Sequence, residues 1–261
     1  MAVAALTMYS EPGAVRAAYE GLVQEVARRF GVALQPFVEA DLSSLWLHPD
    51  LLLAQTCGFP WASSLQGKAK LVASPQYTLP GCEGATHCSF VLVPESSPAR
   101  SLADLRGTRA AINSQDSNSG MNLFRHAIAP LSQQGRFFSS VVESGGHIRS
   151  MEMLQQGLAD VAAVDAVTYG YLQRDAPERT AGVRILAKTA KSPTLPLITA
   201  ATRSDEEVDL LRQILSDVVV DRPDIARTLA IKGFEAAAEL KYLAILEWQD
   251  EAIRQGYPRL A

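Results

Sequence analysis

Small hydroxyl and amide side chains follow a strand-like run at one point where the sequence predicts the start of a helix. The stretch is SQDSNSG, residues 114–120, after the run RAAIN. A helix N-terminus presents unpaired N–H groups and a partial positive charge, and hydroxyls add adjustable hydrogen-bond donors. Ser117, Asn118, Ser119 and Gly120 could therefore hold an anion. The alternative is that these side chains only cap the helix.

Three other strand-like runs also end in polar or small residues. Thr56, Cys57 and Gly58 follow LLLAQ, His147 closes the turn SGGH after VVE, and Asp165 follows VAAV. Ligands of open α/β sheets bind beyond the carboxyl ends of the strands. The repetition of these residue types at successive strand ends predicts a ligand cleft. Two alternatives stay open: His147 could be a surface residue in a glycine turn, and Asp165 could cap the next helix.

A short cysteine and histidine motif, CEGATHC, contains Cys82, His87 and Cys88. Zinc sites need more ligands, in paired short spacings, and no second Cys/His cluster occurs in the sequence. We expect thiols without a metal here, and a local disulfide is the alternative if the protein is exported. The sequence indicates no cofactor, no metal and no catalytic motif.

Composition and charge limit the classes of function. The chain has 261 residues, of which 48% are hydrophobic, and a formal net charge of -4 with scattered Lys and Arg. These values predict a soluble globular protein that does not bind nucleic acid. No run reaches the roughly 18 apolar residues of a membrane span. The start MAVAALTMYSEPG lacks a secretory signal, so the sequence as written predicts a cytoplasmic protein if it is full length.

The elements that must position the candidate residues alternate between strand and helix. VAALTMY and LLLAQ predict strands, and the segment between them shows apolar residues at helical spacing, namely Val15, Tyr19, Leu22, Val26 and Phe30. The alternation restarts at SFVLV and returns through SPTLP, before a largely helical final stretch. This pattern predicts two α/β lobes, lobe 1 from residues 1–90 plus 190–261 and lobe 2 from residues 91–189. Each lobe should be a mostly parallel sheet flanked by helices.

Several of these segments, in order, resemble one protein family. They are LLLAQTCGFP, SLADLRGTRAAIN followed by DSNSG, SGGHIRSMEMLQQGLADVAAVDAVTYGYL, and SPTLP. Together they are similar to the phosphate/phosphite/phosphonate-binding family of bacterial ABC-transporter solute-binding proteins, over roughly residues 50 to 200. The resemblance implies the type II periplasmic-binding fold, with two lobes that close over a small ligand in the cleft between them.

The resemblance also implies roles for particular residues. Ser117, Asn118, Ser119 and His147 match the positions that hold the oxyanion in the family, and Asp165 matches an aspartate that contacts the ligand. Thr56, Cys57 and Gly58 match a turn of the first lobe, and Tyr77 falls where members often supply an aromatic wall. Tyr9 is a further candidate. For both tyrosines a place in the core is the alternative.

Two departures from the family pattern change the donors at the site. The loop that is commonly STSG is SNSG here, which replaces a hydroxyl by the Asn118 amide, and the GSH-like turn is GGH, which removes a hydroxyl at Gly145. Asp165 is acidic and would repel a fully ionised ligand. We therefore expect a small oxyanion that also carries a proton, hydroxyl or amine, such as a protonated phosphate, a phosphonate or an organic acid.

These expectations predict a function in solute binding for an ABC transporter. The ligand would be a small anion and the partner a permease. By resemblance the protein would be periplasmic. One alternative is an enzyme on the same fold, in which His147 acts as general base and a carboxylate such as Asp165 orients it. Another is a cytoplasmic sensor or binding protein.

Overall fold

The computed structural model describes residues 1–37 and 41–261, and the chain forms two compact units. Each unit is assembled from three separate segments of the chain. The first unit contains Met1–Thr78, Cys82–Thr86 and Pro193–Tyr242, and the second unit contains Leu79–Gly81, His87–Ser192 and Leu243–Ala261.

Strands and helices alternate along most of the chain, as the sequence pattern predicts. The strands are β1 (Val3–Ala5), β2 (Leu51–Gln55), β3 (Ala69–Tyr77), β4 (Cys82–Glu83), β5 (Thr86–His87), β6 (Ser89–Pro94), β7 (Arg109–Ile112), β8 (Ser140–Glu143), β9 (Val161–Asp165), β10 (Val183–Lys188), β11 (Ser192–Pro193), β12 (Leu197–Ala200) and β13 (Ile231–Ala236). The α-helices are α1 (Gly13–Phe30), α2 (Leu42–Trp46), α3 (Gly58–Pro60), α4 (Leu123–Ile128), α5 (His147–Gln155), α6 (Ala166–Asp175), α7 (Asp205–Asp221), α8 (Pro223–Thr228) and α9 (Glu239–Arg254). The π-helical turn Trp61–Leu65 follows α3, and a second π-helical turn, Asn118–Asn122, precedes α4.

A five-stranded sheet in the order β1-β2-β12-β3-β13 forms the centre of the first unit. Its strand β2 is buried along its whole length, which explains the uninterrupted apolar run LLLA. Helix α1 buries Val15, Tyr19, Leu22 and Val26, the face that the helical spacing predicts. The helix ends at Gly31, which takes the left-handed conformation with φ +82° that a glycine adopts without strain.

A second five-stranded sheet, in the order β10-β6-β9-β7-β8, forms the centre of the second unit. Alternate residues of its inner strands face opposite sides. Val91 and Val93 pack in one hydrophobic cluster, whereas Phe90 and Leu92 pack in another. Because both faces are covered, the inner strands are continuous apolar runs without a polar face.

Both sheets are mixed, which differs from the mostly parallel sheets that we expected. Strand β1 runs parallel to β2, and β7 runs parallel to β8 and β9. Strand β12 is antiparallel to β2 and β3, and β6 is antiparallel to β9 and β10. Each sheet thus contains a strand, β12 in one and β6 in the other, that runs antiparallel to both of its neighbours.

The end of the chain belongs to the second unit, whereas we expected residues 190–261 in lobe 1. Ala252, Tyr257 and Leu260 are buried in the same hydrophobic cluster as Val91. The N–H groups of Phe137 and Phe138 donate to the Ala261 carbonyl oxygen over 2.6 and 3.0 Å. Ala252 lies on α9, and sequence periodicity places such a residue on a helix but cannot assign it to a particular sheet, whereas Tyr257 and Leu260 follow the helix. No helix in the described ranges has the length and apolar character that a bilayer crossing requires.

Candidate functional site

The loop SNSG follows β7 and forms the first helical turn of the segment that continues into α4. The Ser117 hydroxyl accepts a hydrogen bond from the Gly120 N–H over 3.0 Å, so Ser117 is the helix cap. The helical turn starts at Asn118, within the stretch where the sequence predicts the start of a helix. Ser117, Asn118 and Ser119 are all buried. The cap interpretation therefore holds for Ser117, and the other side chains have separate partners.

Ser119 and His147 meet in the second unit. The Ser119 Oγ lies 3.0 Å from the Nε2 atom of His147, the first residue of α5. Gly145, in the turn before α5, has φ +87°, a conformation that favours glycine. His147 is partly exposed as a residue, but its Nδ1 atom is buried without a well-formed hydrogen bond in the described structure. The two sequence candidates thus form one hydrogen-bonded pair at neighbouring helix starts.

Asp165 is a helix cap and the partner of a second histidine. Its Oδ1 atom accepts hydrogen bonds from the N–H groups of Val167 at 2.7 Å and Thr168 at 3.2 Å. Its Oδ2 atom lies 2.9 Å from the Nδ1 atom of His87. Asp165 and His87 are each 1% exposed. Both oxygens of the Asp165 carboxylate therefore contact protein groups.

Burial and charge act in opposite directions on these groups. Burial of the His147 ring lowers its pKa below the ordinary histidine value, and Asp165 and the Ala163 backbone only partly offset that effect. Burial would raise the pKa of Asp165, but the charges and hydrogen bonds of His87, together with the His147 charge and the Thr168 N–H, hold that pKa below its usual value. Asp165 is thus ionised at neutral pH, and ligand-free His147 binds its proton more weakly than an ordinary histidine does.

A chain of hydrogen bonds connects the Asn118 amide to a buried cation. Arg125 is 5% exposed, and its Nη2 atom donates to the Asn122 Oδ1 atom over 2.6 Å. The Asn122 Nδ2 atom donates to the Asn118 Oδ1 atom over 3.2 Å, and the Asn118 Nδ2 atom donates to the Ser192 Oγ atom over 2.7 Å. Burial lowers the pKa of Arg125. This chain fixes the orientation of the Asn118 amide at the loop.

Gly120 is packed so closely that no side chain fits. A Cβ atom at this position would lie 1.9 Å from the Asn113 Oδ1 atom and 3.0 Å from the His147 Cε1 atom. The first distance is far shorter than real Cβ contacts, and the second is at their lower limit, so Asn113 and His147 would have to shift to admit a side chain. Glycine here lets the first helical turn approach the His147 ring.

Five of the sequence candidates lie in the first unit. Tyr9 stacks on Tyr19 with ring centroids 6.4 Å apart and meets the Tyr77 ring edge-on at 5.9 Å. The hydroxyl groups of Tyr19 and Tyr77 are 2.8 Å apart. Tyr9 and Tyr77 are buried, which agrees with the alternative that they belong to the core.

The turn after β2 contains the other candidates of the first unit. The Thr56 hydroxyl donates to the Cys57 carbonyl over 3.3 Å, and the short helix α3 begins at Gly58. Thr56, Cys57 and Gly58 are buried. The structure thus gathers the candidates into two groups, one within each unit, and contact of the first-unit group with a ligand stays a prediction.

Sequence reasoning missed His87, Asn122 and Arg125 as parts of the site. His87 drew attention only as a possible metal ligand beside Cys82 and Cys88. Asn122 and Arg125 are three residues apart and share a helix face, so a polar pair on an otherwise apolar helix could have indicated a buried hydrogen bond. None of the three described cysteines forms a disulfide, and burial raises the pKa of the Cys88 thiol.

A protein-family model matches the chain over most of its length. The model is described as ABC transporter, phosphonate, periplasmic substrate-binding protein, and it matches residues 4–242. The chain belongs to this family. The match extends beyond the roughly 150 residues whose motifs indicated the family in the sequence, and it confirms the expected solute-binding class. Among curated proteins, no significant match was found.

Solved structures of the same fold include a methylphosphonate complex and a component of an ABC phosphonate transporter. The chain is similar to PhnD1 from Prochlorococcus marinus in complex with methylphosphonate, with a TM-score of 0.78 and 14% identity over 97% of this chain and 98% of that chain. It is also similar to a binding protein component of an ABC phosphonate transporter from Pseudomonas aeruginosa, with a TM-score of 0.80 and 15% identity over 97% and 87% of the two chains. XAC2383 from Xanthomonas citri bound to ATP has a TM-score of 0.72 and 17% identity over 97% of each chain. The two-lobed type II periplasmic-binding fold is thereby confirmed.

Proposed function

We propose that this family member captures a small phosphorus oxyanion, a phosphonate or phosphate, at the SNSG loop and His147 of the second unit. The observation that carries the proposal is the 3.0 Å approach of the Ser119 Oγ to the His147 Nε2. A hydroxyl and an imidazole can both turn a donor toward an anion. The family and the methylphosphonate complex of the structurally similar PhnD1 support a phosphorus oxyanion as ligand.

The geometry around the loop supports a site for an anion without an arginine contact. Ser117 and Gly120 shape the first helical turn, whose N–H groups carry the positive end of the peptide dipoles. The hydrogen bonds of Asn118 to Asn122 and Ser192 hold its amide in one orientation. Direct contact between Asp165 and the ligand stays a prediction, because both of its oxygens already have protein partners.

The proposal extends to transport and to the first unit. A solute-binding member of this family would deliver its ligand to an ABC-transporter permease after export to the periplasm. Tyr9, Thr56, Cys57, Gly58 and Tyr77 are the residues of the first unit for which we propose ligand contact, on the basis of their match to the family pattern.

The enzyme hypothesis has less support from the site. A general base at His147 would need a carboxylate to orient its Nδ1 atom. The carboxylate suited to that task, Asp165, lies 2.9 Å from the Nδ1 atom of His87 and caps α6. The arrangement therefore favours binding over proton abstraction.

Calorimetric titration with methylphosphonate and with inorganic phosphate tests the proposal. We expect binding of at least one of the two, and ligand-induced stabilisation of roughly 2.7 kcal/mol at a hundredfold excess over the dissociation constant. The variant Ser119→Leu should lose both effects. The control Ser139→Leu alters a serine whose hydroxyl bonds only the Thr108 carbonyl among the described contacts, and it should keep both. If the wild type binds neither anion, or converts it chemically, the proposal is wrong.

A further inference from the structure

Arg125 is a buried cation that has no carboxylate partner among the described residues. Its Nη1 atom donates to the Pro258 carbonyl oxygen over 2.8 Å, and its Nη2 atom donates to the Asn122 Oδ1 atom over 2.6 Å. Both acceptors are neutral, and the Arg125 Nε atom is buried without a hydrogen-bond partner. A buried charge is unfavourable unless an opposite charge balances it, so this guanidinium favours an anion nearby.

The hydrogen bonds that lead away from Arg125 all run in one direction. Arginine has only donors, so the atom of Asn122 that faces it must be the amide oxygen. The Asn122 Nδ2 atom then donates to the Asn118 Oδ1 atom, and the Asn118 Nδ2 atom donates to the Ser192 Oγ atom. Neither amide can turn over without placing two donors against each other. We call these four residues the relay.

Ser192 is the last member of the relay. Its Oγ atom accepts a hydrogen bond from Asn118 over 2.7 Å, so its own O–H must point elsewhere. Among the described residues, Ser192 makes no other side-chain hydrogen bond, and it is 1% exposed, so water has little access to that hydrogen. A buried hydroxyl whose hydrogen has no acceptor is unfavourable. The O–H of Ser192 is therefore available to a ligand.

The segment that contains Ser192 lies against the SNSG loop. The Ser89 hydroxyl donates to the Ser119 carbonyl oxygen over 2.8 Å, and the Ser89 N–H donates to the Thr189 Oγ1 atom over 2.9 Å. Ser89 thus holds the loop and the segment after β10 together, and the contact between Asn118 and Ser192 joins them a second time. Ser192 therefore belongs to the same cluster as the loop that we propose to hold the oxyanion.

We propose that Ser192 is a ligand-binding residue and that its O–H donates to an unprotonated oxygen of the oxyanion at Ser119 and His147. Arg125 is a positioning residue that does not contact the ligand. It fixes the direction of every donor in the relay and places a positive charge behind them. The proposal rests on the proposed function and deepens it, because the ligand must present an acceptor to Ser192. An ammonium group could not take that place, since it has donors only.

Variants of Ser192 and Asn122 test the donor and the direction of the relay. Ser192→Ala removes the hydroxyl, and Ser192→Thr keeps it. In Asn122→Asp the carboxylate has acceptors only, so Arg125 keeps a partner and gains a counter-charge, whereas the Asn118 amide must turn over to donate to it. The turned amide presents its oxygen to Ser192. The Ser192 O–H then donates to Asn118 and is lost to the ligand.

The measurement is the dissociation constant for methylphosphonate and for inorganic phosphate at neutral pH, by calorimetry, with urea titrations to check that each variant is folded. Ser192→Ala should weaken binding at least about tenfold, because a hydrogen bond to a charged group is lost. Ser192→Thr should stay within about threefold of the wild type, because the donor is kept. The control Ser132→Ala removes a hydroxyl that donates to the Ala129 carbonyl in the same unit, and it should bind as the wild type does.

Two double variants separate a donor to the ligand from a residue that only holds Asn118. In the Asn122→Asp background, Ser192→Ala should weaken binding by less than about twofold further, because the turned amide already occupies the hydroxyl. In the Asn118→Ala background, Ser192→Ala should still weaken binding at least about threefold, because the hydroxyl can donate to the ligand without Asn118.

The outcomes distinguish this proposal from the proposed function. A folded Ser192→Ala variant that binds within about twofold of the wild type, while Ser119→Leu loses binding, overturns the role of Ser192 and leaves the proposed function intact. No further loss in the Asn118→Ala background would mean that Ser192 acts only through Asn118, which also overturns the proposal. Additive losses from Asn122→Asp and Ser192→Ala would overturn the direction of the relay. If the wild type itself binds neither anion, both proposals fall.

Discussion

The Ser119 hydroxyl lies 3.0 Å from the Nε2 atom of His147, although the two residues are 28 positions apart in the sequence. Strand β7 leads to Ser119 and strand β8 leads to His147, and these strands pair in parallel from Arg109–Ser140 to Ile112–Glu143. Parallel neighbours end at the same edge of a sheet. The contact is therefore a consequence of strand direction and register, and it joins two helix starts at one place.

Ser117 and Ser119 should separate stability from affinity. Ser117 caps the Gly120 N–H, so Ser117→Ala should lower the free energy of unfolding by about 1 kcal/mol and change anion affinity little. Ser119→Ala removes the hydroxyl that contacts His147 and should weaken anion binding about tenfold, with a smaller effect on unfolding. Denaturant titration and calorimetry on both variants check this. Equal effects of the two variants on affinity would contradict the division of roles.

The lowered pKa of His147 gives the ligand-free protein a particular dependence on pH. The unfolded chain has a histidine pKa of about 6.5, and the folded chain binds that proton more weakly. The unfolded state therefore holds more protons in this range, and the free energy of unfolding should fall as pH falls below about 6.5 toward the lowered pKa of the folded state. Urea titrations of the ligand-free protein over this range measure the effect.

The variant His147→Gln is the control for that pH dependence, because it keeps an amide near the Nε2 position without a titrating ring. Its free energy of unfolding should decline less steeply over the same range. A bound anion should reduce the decline in the free energy of unfolding of the wild type at low pH, because a nearby negative charge favours the imidazolium form of His147. Wild type and variant with the same slope would show that another group titrates.

The sequence predicted much of the fold and only part of the site. Helix α1, strand β2 and the alternation of strands and helices follow from local apolar periodicity. His147 and Asp165 were found because each follows a strand-like run in the sequence. The partner of Asp165 was not predictable, because the pairing of His87 with it requires the antiparallel pairing of β6 with β9, which brings Ser89 opposite Asp165. Arg125 was missed because its partner Asn122 is neutral. Asn122 accepts a hydrogen bond from Arg125 but provides no opposite charge that the sequence could have indicated.

Gly120 should not tolerate alanine. The added Cβ would lie 1.9 Å from the Asn113 Oδ1 atom, so Gly120→Ala should destabilise the protein by about 1–3 kcal/mol and weaken anion binding by displacing His147. Gly146→Ala is the matched control, because a Cβ there has no neighbour within 4 Å. Adding Asn113→Ala to Gly120→Ala should recover much of the lost stability. Denaturant titrations of the wild type and the three variants decide, and a harmless Gly120→Ala would contradict the close approach.

The hydrogen bonds of Asn122 should matter more to stability than an exposed ion pair does. Asn122→Ala removes the acceptor for the Arg125 Nη2 atom and the donor to Asn118, leaving a charged group 5% exposed with fewer partners. We expect a loss of about 2–3 kcal/mol in the free energy of unfolding. Glu152→Ala is the contrast within the same unit, since its pair with Arg149 is exposed and worth at most about 1 kcal/mol.

Because Asn118 would also lose its fixed orientation, Asn122→Ala should weaken anion binding, whereas Glu152→Ala should not. Unfolding and calorimetric titrations of both variants test this, and similar losses in the two would show that the buried chain from Arg125 to Asn118 does not hold the loop.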